Sequence, residues 1–290
     1  PPPPPRPPLI LFRRQRQMCI RDRVHDRIDY AWPILTDRVR HNSDYAAMFA
    51  NAYPHIEVSA DITIADIANA LSAFMIAEWT SFDSPFDAYL AGDTSAMTPA
   101  QVDGMDLFYG AAGCSDCHSG PLMTDQAFHA LGLPPFGPGR TRQWDPMVRD
   151  VGHMGESNRL EDAYAFRTPM LRNVALTAPY GHNGAYPTLE GIVRHHMNPV
   201  EAFEAWTPEQ AALPEVPWLA AIDFAVWQDS REMARQRAAA TQVTPSLQDT
   251  EVAAIVAFLD ALTGESAKTG HLGIPSNVPS GLPVDGRISN

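Results

Sequence analysis

Five residues, Cys114-Ser115-Asp116-Cys117-His118, constrain this 290-residue chain more than any other stretch of it. Two thiols separated by two residues, with an imidazole directly after the second, match the CxxCH pattern of haem c attachment. The thiols form thioether bonds to the vinyl groups, and the adjacent His118 is placed to ligate the iron. A CxxC dithiol pair and half of a zinc site are the competing readings. Zinc would want a second pair of ligands at metal spacing, yet no cysteine follows Cys117. A redox dithiol would want a βαβ context, which a helical chain lacks. Cys19 is the third cysteine, so the thiols form no disulfide framework. Covalent haem attachment normally takes place outside the cytoplasm, so the motif predicts an exported, periplasmic protein.

The surrounding pattern is helical. Ile64, Ile67, Leu71 and Phe74 recur at three and four residues, predicting an amphipathic helix over 63–79 with Asp61 or Thr63 as cap. Thr98-Pro99 opens a second helix that reaches about Tyr109 and runs into the cysteine motif. Thr188 caps a third, to about His196, and a fourth is expected over about 229–240. The last begins at Ser246, shows Val252, Ile255, Val256, Leu259 and Leu262 on one face, and ends at Gly264. Residues 120–162 carry the Gly, Pro and charge of a long functional loop. No segment alternates as a strand does, so the fold class is mostly α, a cytochrome c-like helical haem domain.

Acidic residues outnumber basic ones 34 to 21, a net charge of -13. That balance argues against nucleic acid, whose recognition draws on clustered Lys and Arg. It suits solubility, and it suits a small cationic electron donor steered over long range. No apolar run approaches the roughly 20 residues of a membrane span.

Residues 1–23 join a proline run to a basic cluster and share no periodicity with the rest of the chain. The string QMCIRDR has the look of translated adaptor sequence, so this leader is read as non-native and the true N-terminus as missing. Residues 24–97 then read as a remnant of an N-terminal region with interdomain helices, 98–265 as the haem domain, and 266–290 as a tail. Residues 199–243 form an insertion whose Trp206, Trp218 and Trp227 are expected in a core rather than over a haem edge.

A haem iron needs a decision at its sixth position: a second strong ligand makes an electron-transfer centre, and an open one admits substrate. His129, Met147, His153, Met154, His182, His195, His196 and Met197 are all candidates. The run His195-His196-Met197 stands out because it closes the Thr188 helix, where a side chain can be aimed across a pocket.

With the haem motif placed, SPFDAYLAGD at 84–93, FYGAAGCSDCHSG ending at Gly120, AFRTPMLRNVALTAPYGHNGAYPTLEGIVRHH at 165–196 and EVAAIVAFLDALTG at 251–264 resemble the bacterial di-haem cytochrome c peroxidases and their MauG relatives. The likeness spans roughly 30–198 and 244–265. In that family hydrogen peroxide is reduced at an N-terminal haem, with electrons relayed through a C-terminal one. The resemblance implies that this motif is the C-terminal haem, with His118 as proximal ligand and His196 where relatives place an axial Met or Tyr. Met197 comes directly after it and is the alternative. The resemblance also implies a calcium ion held in part by backbone carbonyls of Thr177 and Pro179, and a place for His182 near a haem propionate.

The implied partners are a small soluble donor, such as a cytochrome c or a cupredoxin, and peroxide in the parent enzyme. Dimers are common among relatives. The chain has one CxxCH, so the peroxidatic haem and its acid-base glutamate are not in it. The MauG branch, which oxidises residues of a partner protein, and a plain haem c electron carrier are the alternative functions.

Overall fold

The computed structural model describes residues 31–137, 149–211, 213, 223–241, 245–273 and 275–282. The expectations for residues 1–23, Met147 and Trp218 lie outside the described residues. The chain divides into two units, residues 1–24 with 82–264 and residues 25–81 with 265–290.

In the smaller unit, α1 (Ala31–Arg40) and α2 (Ser43–Ala52) precede α3 (Ile64–Trp79). Asn42 caps α2 by accepting from the backbone N–H groups of Asp44 and Tyr45, which leaves fewer orphan donors at the helix start. Thr63 caps α3 and Asp66 reaches back to the Thr63 N–H at 2.8 Å, completing a capping box. Ile56 and Ile62 are buried here. The apolar stripe expected on α3 is present in sequence but not covered: Leu71 is 58% and Phe74 45% exposed, and Asp66 is the buried residue of the helix. Glu78 ties the later segment to α3 by accepting from the N–H groups of His271 and Leu272.

The larger unit is built on α4 (Pro85–Leu90), α5 (Pro99–Tyr109), α6 (Leu189–Met197), α7 (Pro199–Ala205), α8 (Ser230–Ala239) and α9 (Asp249–Ala261). Pro at the first position and a capping box, Ser84 with Asp87 and Thr98 with Gln101, start α4 and α5. The last helix starts two residues later than a cap at Ser246 predicts, because Gln248 and Glu251 form its capping box. Its apolar face is as expected, with Val252, Ile255, Leu259 and Leu262 buried, each burial worth about 1.5–3 kcal/mol.

Helices α5 and α9 touch backbone to backbone at Gly104, where an added Cβ would stand 1.9 Å from the Ala254 carbonyl oxygen. That approach brings Phe108 edge-to-face with Phe258 at 5.1 Å, and Phe86 of α4 meets Phe258 at 5.3 Å. Asn173 closes the far end of α9 by taking the Leu262 carbonyl on its N–H and giving its side-chain oxygen to the Gly264 N–H.

The fold is mostly helical, as expected; Phe128–His129 and Phe166–Arg167 pair as two short antiparallel strands, too brief to leave an alternating pattern. In the insertion, Trp206 is buried, stacks on Phe136 at 5.4 Å and donates its indole N–H to the Ala185 carbonyl. Trp227 stacks on Trp206 and donates to Pro135. The described tryptophans of this segment therefore belong to the core, and their polar edges are satisfied. Glu232 of α8 is wholly buried, bonded to the Tyr164 hydroxyl at 2.9 Å and to Arg149 at 3.1 Å.

Candidate haem-binding site

Helix α5 delivers the cysteine motif. The chain leaves the helix through Gly110 and turns at Gly113, whose φ of +65° places it in the left-handed region. A single 3-10 turn, Cys114–Asp116, comes next. The His118 N–H donates to the Cys114 carbonyl, so the two thiols and the imidazole sit on one compact loop. Both thiols are free and half-buried, and burial pushes the Cys114 thiol up to about 11.

The Nδ1 of His118 lies 3.2 Å from the Met123 carbonyl, with the Pro169 carbonyl also within reach of the ring; with its proton on Nδ1, the imidazole carries its lone pair on Nε2. Burial, and after it the neighbouring His196, push His118 down to about 4, so the ring is neutral at pH 7 and fit to ligate a metal.

The run at the end of α6 divides the labour between its two histidines. His195 is wholly buried and both its nitrogens are taken: Nε2 donates to the Leu131 carbonyl at 2.7 Å, and Nδ1 accepts from the Tyr186 hydroxyl at 2.9 Å. It has no lone pair left for iron. His196 donates from Nδ1 to the Ile192 carbonyl one turn back, at 2.7 Å, and keeps Nε2 available. Burial lowers its pKa, which keeps it neutral. His118 and His196 thus share one tautomer and lie close enough to influence each other's charge. With the proton on Nδ1 in each, both imidazoles are neutral and carry an Nε2 lone pair, and His118 adjoins a pair of free thiols, a donor set that fits haem c. Sequence spacing could not separate His195 from His196, because Leu131 lies 64 residues away in the chain and the Tyr186 contact depends on how the turn before the helix folds back.

The other candidates scatter. His129 bonds Asp125 at 2.8 Å, and with Cys117 these make the only trio of Cys, His or carboxylate donors gathered among the described residues. His153 stacks on Phe128, and Met154 opens the short helix Met154–Ser157. His182 stacks on Phe166 at 3.5 Å with Nε2 3.7 Å from Asp150; its Nδ1 is buried with no hydrogen-bond partner among the described residues. Pro179 is joined to Ala178 by a cis peptide bond, and Thr177 directly precedes that pair.

A family model described as di-haem cytochrome c peroxidase matches residues 13–95. Over 179 residues the chain is 34% identical to cytochrome-c peroxidase IdrP1 of Denitromonas iodatirespirans, covering 55% of this chain and 47% of that protein. It is 31% identical over 173 residues to methylamine utilization protein MauG of Methylorubrum extorquens, covering 59% and 45%. To cytochrome c peroxidase Ccp of Escherichia coli it is 33% identical over 167 residues, covering 57% and 33%. The chain therefore spans between a third and a half of the length of these relatives. A variant of the diheme peroxidase BthA from Burkholderia thailandensis superposes with a TM-score of 0.55 at 22% identity, over 88% of this chain and 62% of that one, a likeness of fold.

Proposed function

We propose, from its likeness to the di-haem cytochrome c peroxidases and MauG, that the chain is a member of that family and that residues 98–265 are its C-terminal, cytochrome c-like haem domain, passing electrons from a small soluble donor to a peroxidatic haem elsewhere in the parent protein. The parent reaction is the reduction of hydrogen peroxide by two electrons and two protons to two molecules of water. It takes place in the periplasm, with a cytochrome c or a cupredoxin as donor.

The observation that carries the reading is the matched pair of imidazoles. Cys114 and Cys117 would hold the haem covalently, and His118 and His196 would present their Nε2 atoms to it. When bound, such a group cycles between ferric and ferrous states and moves one electron at a time. The residues do the rest. Met123 and Ile192 fix the tautomers by accepting from Nδ1. The bond from Tyr186 and the bond to Leu131 keep His195 out of the coordination sphere. His182 offers a buried Nδ1 suited to donating to a propionate. With two strong ligands the site relays electrons and does not meet peroxide. Calcium, if it binds, would take the Thr177 and Pro179 carbonyls and further oxygens from beyond the described residues.

The test is a reduced-minus-oxidised visible spectrum, with pyridine haemochrome, of the chain expressed alongside a cytochrome c maturation system. One covalent low-spin haem that does not bind carbon monoxide is expected. No haem would remove the central assignment, and a high-spin haem that readily takes carbon monoxide would make this domain itself a site for peroxide.

A further inference from the structure

Beside the cysteine loop the larger unit has an apolar recess, lined by Phe82, Phe86, Leu90, Met105, Tyr109 and Pro121. Its rim is open: Phe82 is 55%, Leu90 65% and the adjacent Leu122 41% exposed. The recess also touches Gly120, two residues beyond His118.

The segment that supplies most of its lining is acidic. Residues 82–123 contain six aspartates, at 83, 87, 93, 103, 106 and 116, and neither a lysine nor an arginine. Asp83, Asp93, Asp103, Asp106 and Asp116 are exposed. Arg172 is the one cation lining the recess. Its guanidinium is bonded to both carboxylate oxygens of Asp87, at 2.8 and 2.9 Å, and lies over the Phe82 ring at 4.5 Å. Its charge is therefore spent inside the wall.

We propose that this recess is the docking surface for the electron donor, and that the donor is a small basic redox protein whose apolar patch is ringed by lysine or arginine. The proposal rests on the relay reading and adds where, and with what chemistry, the electron enters. An apolar centre desolvates the contact, while surrounding carboxylates steer a cationic partner and set its orientation. A second copy of this chain is the disfavoured occupant. A two-fold dimer through this face would set the same carboxylates against each other, between chains that each carry -13. On docking, one electron leaves the donor's reduced metal for the oxidised haem, with no bond made or broken.

The test uses the full haem-loaded chain and an isotope-labelled basic cytochrome c, followed by NMR line broadening. Binding at about 10 mM ionic strength should weaken at least tenfold at about 200 mM, as screening shortens the reach of exposed charges. Asp103→Lys with Asp106→Lys should weaken it at least tenfold, and Leu90→Ser at least threefold, with haem content reporting that each variant folds. No binding at low salt, or binding that both variants leave within twofold of the parent, overturns the proposal, as does a dimer in sedimentation that Leu90→Ser dissolves. Reduction of the same haem by dithionite separates the two ideas. A haem that dithionite reduces, in a chain whose recess variants bind normally, removes the docking site and keeps the relay. A chain without haem removes the relay, whatever it binds.

Discussion

Tyr186 and His195 are joined by a buried hydrogen bond of 2.9 Å, hydroxyl to Nδ1, which occupies the one lone pair that His195 could have offered to a metal. The neighbouring His196, held by Ile192 alone, keeps its Nε2 available. Adjacent histidines on one helix turn are thereby left in different states, one with both nitrogens committed and one with a nitrogen available to a ligand.

Substituting the two should separate these roles. His195→Ala removes two buried hydrogen bonds, opens a cavity and orphans the Tyr186 hydroxyl, so unfolding in denaturant should be easier by about 2–4 kcal/mol with the haem still low-spin. His196→Ala should do the reverse: near-parental stability, loss of the low-spin spectrum and uptake of carbon monoxide. A His196→Ala protein that stays low-spin and inert to carbon monoxide would move the sixth ligand elsewhere, with Met197 the first to examine.

Gly104 sets the distance between α5 and α9. A methyl group there has no room, because the obstacle is the Ala254 backbone and not a side chain that can swing aside. Gly104→Ala should destabilise the protein by about 1–3 kcal/mol or more, read as a lower Tm, since overpacking forces backbone to shift. A Tm equal to the parent's would mean that the helices part at little expense.

Glu232 is an uncommon buried acid; Arg235 and Gln236 bond it from its own helix, while Arg149 and Tyr164 lie more than 60 residues away in sequence. Glu232→Ala takes the buried carboxylate from Arg149 and the acceptor from the Tyr164 hydroxyl, a loss of about 3–5 kcal/mol. Glu232→Gln keeps the shape and an acceptor oxygen and should lose less. Equal losses in the two variants, measured by denaturant unfolding, would show that shape and not charge matters there.

Acid should act through Asp87. Burial alone would raise its carboxyl, but the Arg172 guanidinium and the Ser84 hydrogen bonds outweigh it and hold the folded value below the ordinary 3.8. A depressed carboxyl contributes stability that is complete above the unfolded value, near pH 4, and is lost as pH falls through the folded value below it. The parent should therefore lose stability more steeply than Asp87→Asn as pH falls below about 4. Parallel profiles would mean that the Asp87–Arg172 pair has no net linkage to folding.

The sequence by itself determined whatever depends on near neighbours. The cysteine motif is five consecutive residues. The starts of α3, α5 and α6 come from Thr63, Thr98 and Thr188 accepting from backbone N–H groups three residues on. The buried face of α9 comes from its 3.6-residue period. Even here local signals compete: Ser246 reads as a cap, yet Gln248 with Glu251 starts the helix. The stripe on α3 shows the limit of periodicity, since a pattern states which face could be covered and not whether anything covers it. Tertiary structure alone decided that His195 is satisfied by Leu131 and Tyr186, that Gly104 meets Ala254, that Glu232 is buried against Arg149 and Tyr164, and that Arg172 is neutralised by Asp87. Apart from Tyr186, nine residues before His195, the partners in these contacts are separated by 64 residues or more. Hydrogen bonding and packing act over a few ångströms of space, and only the folded chain brings such residues within that range.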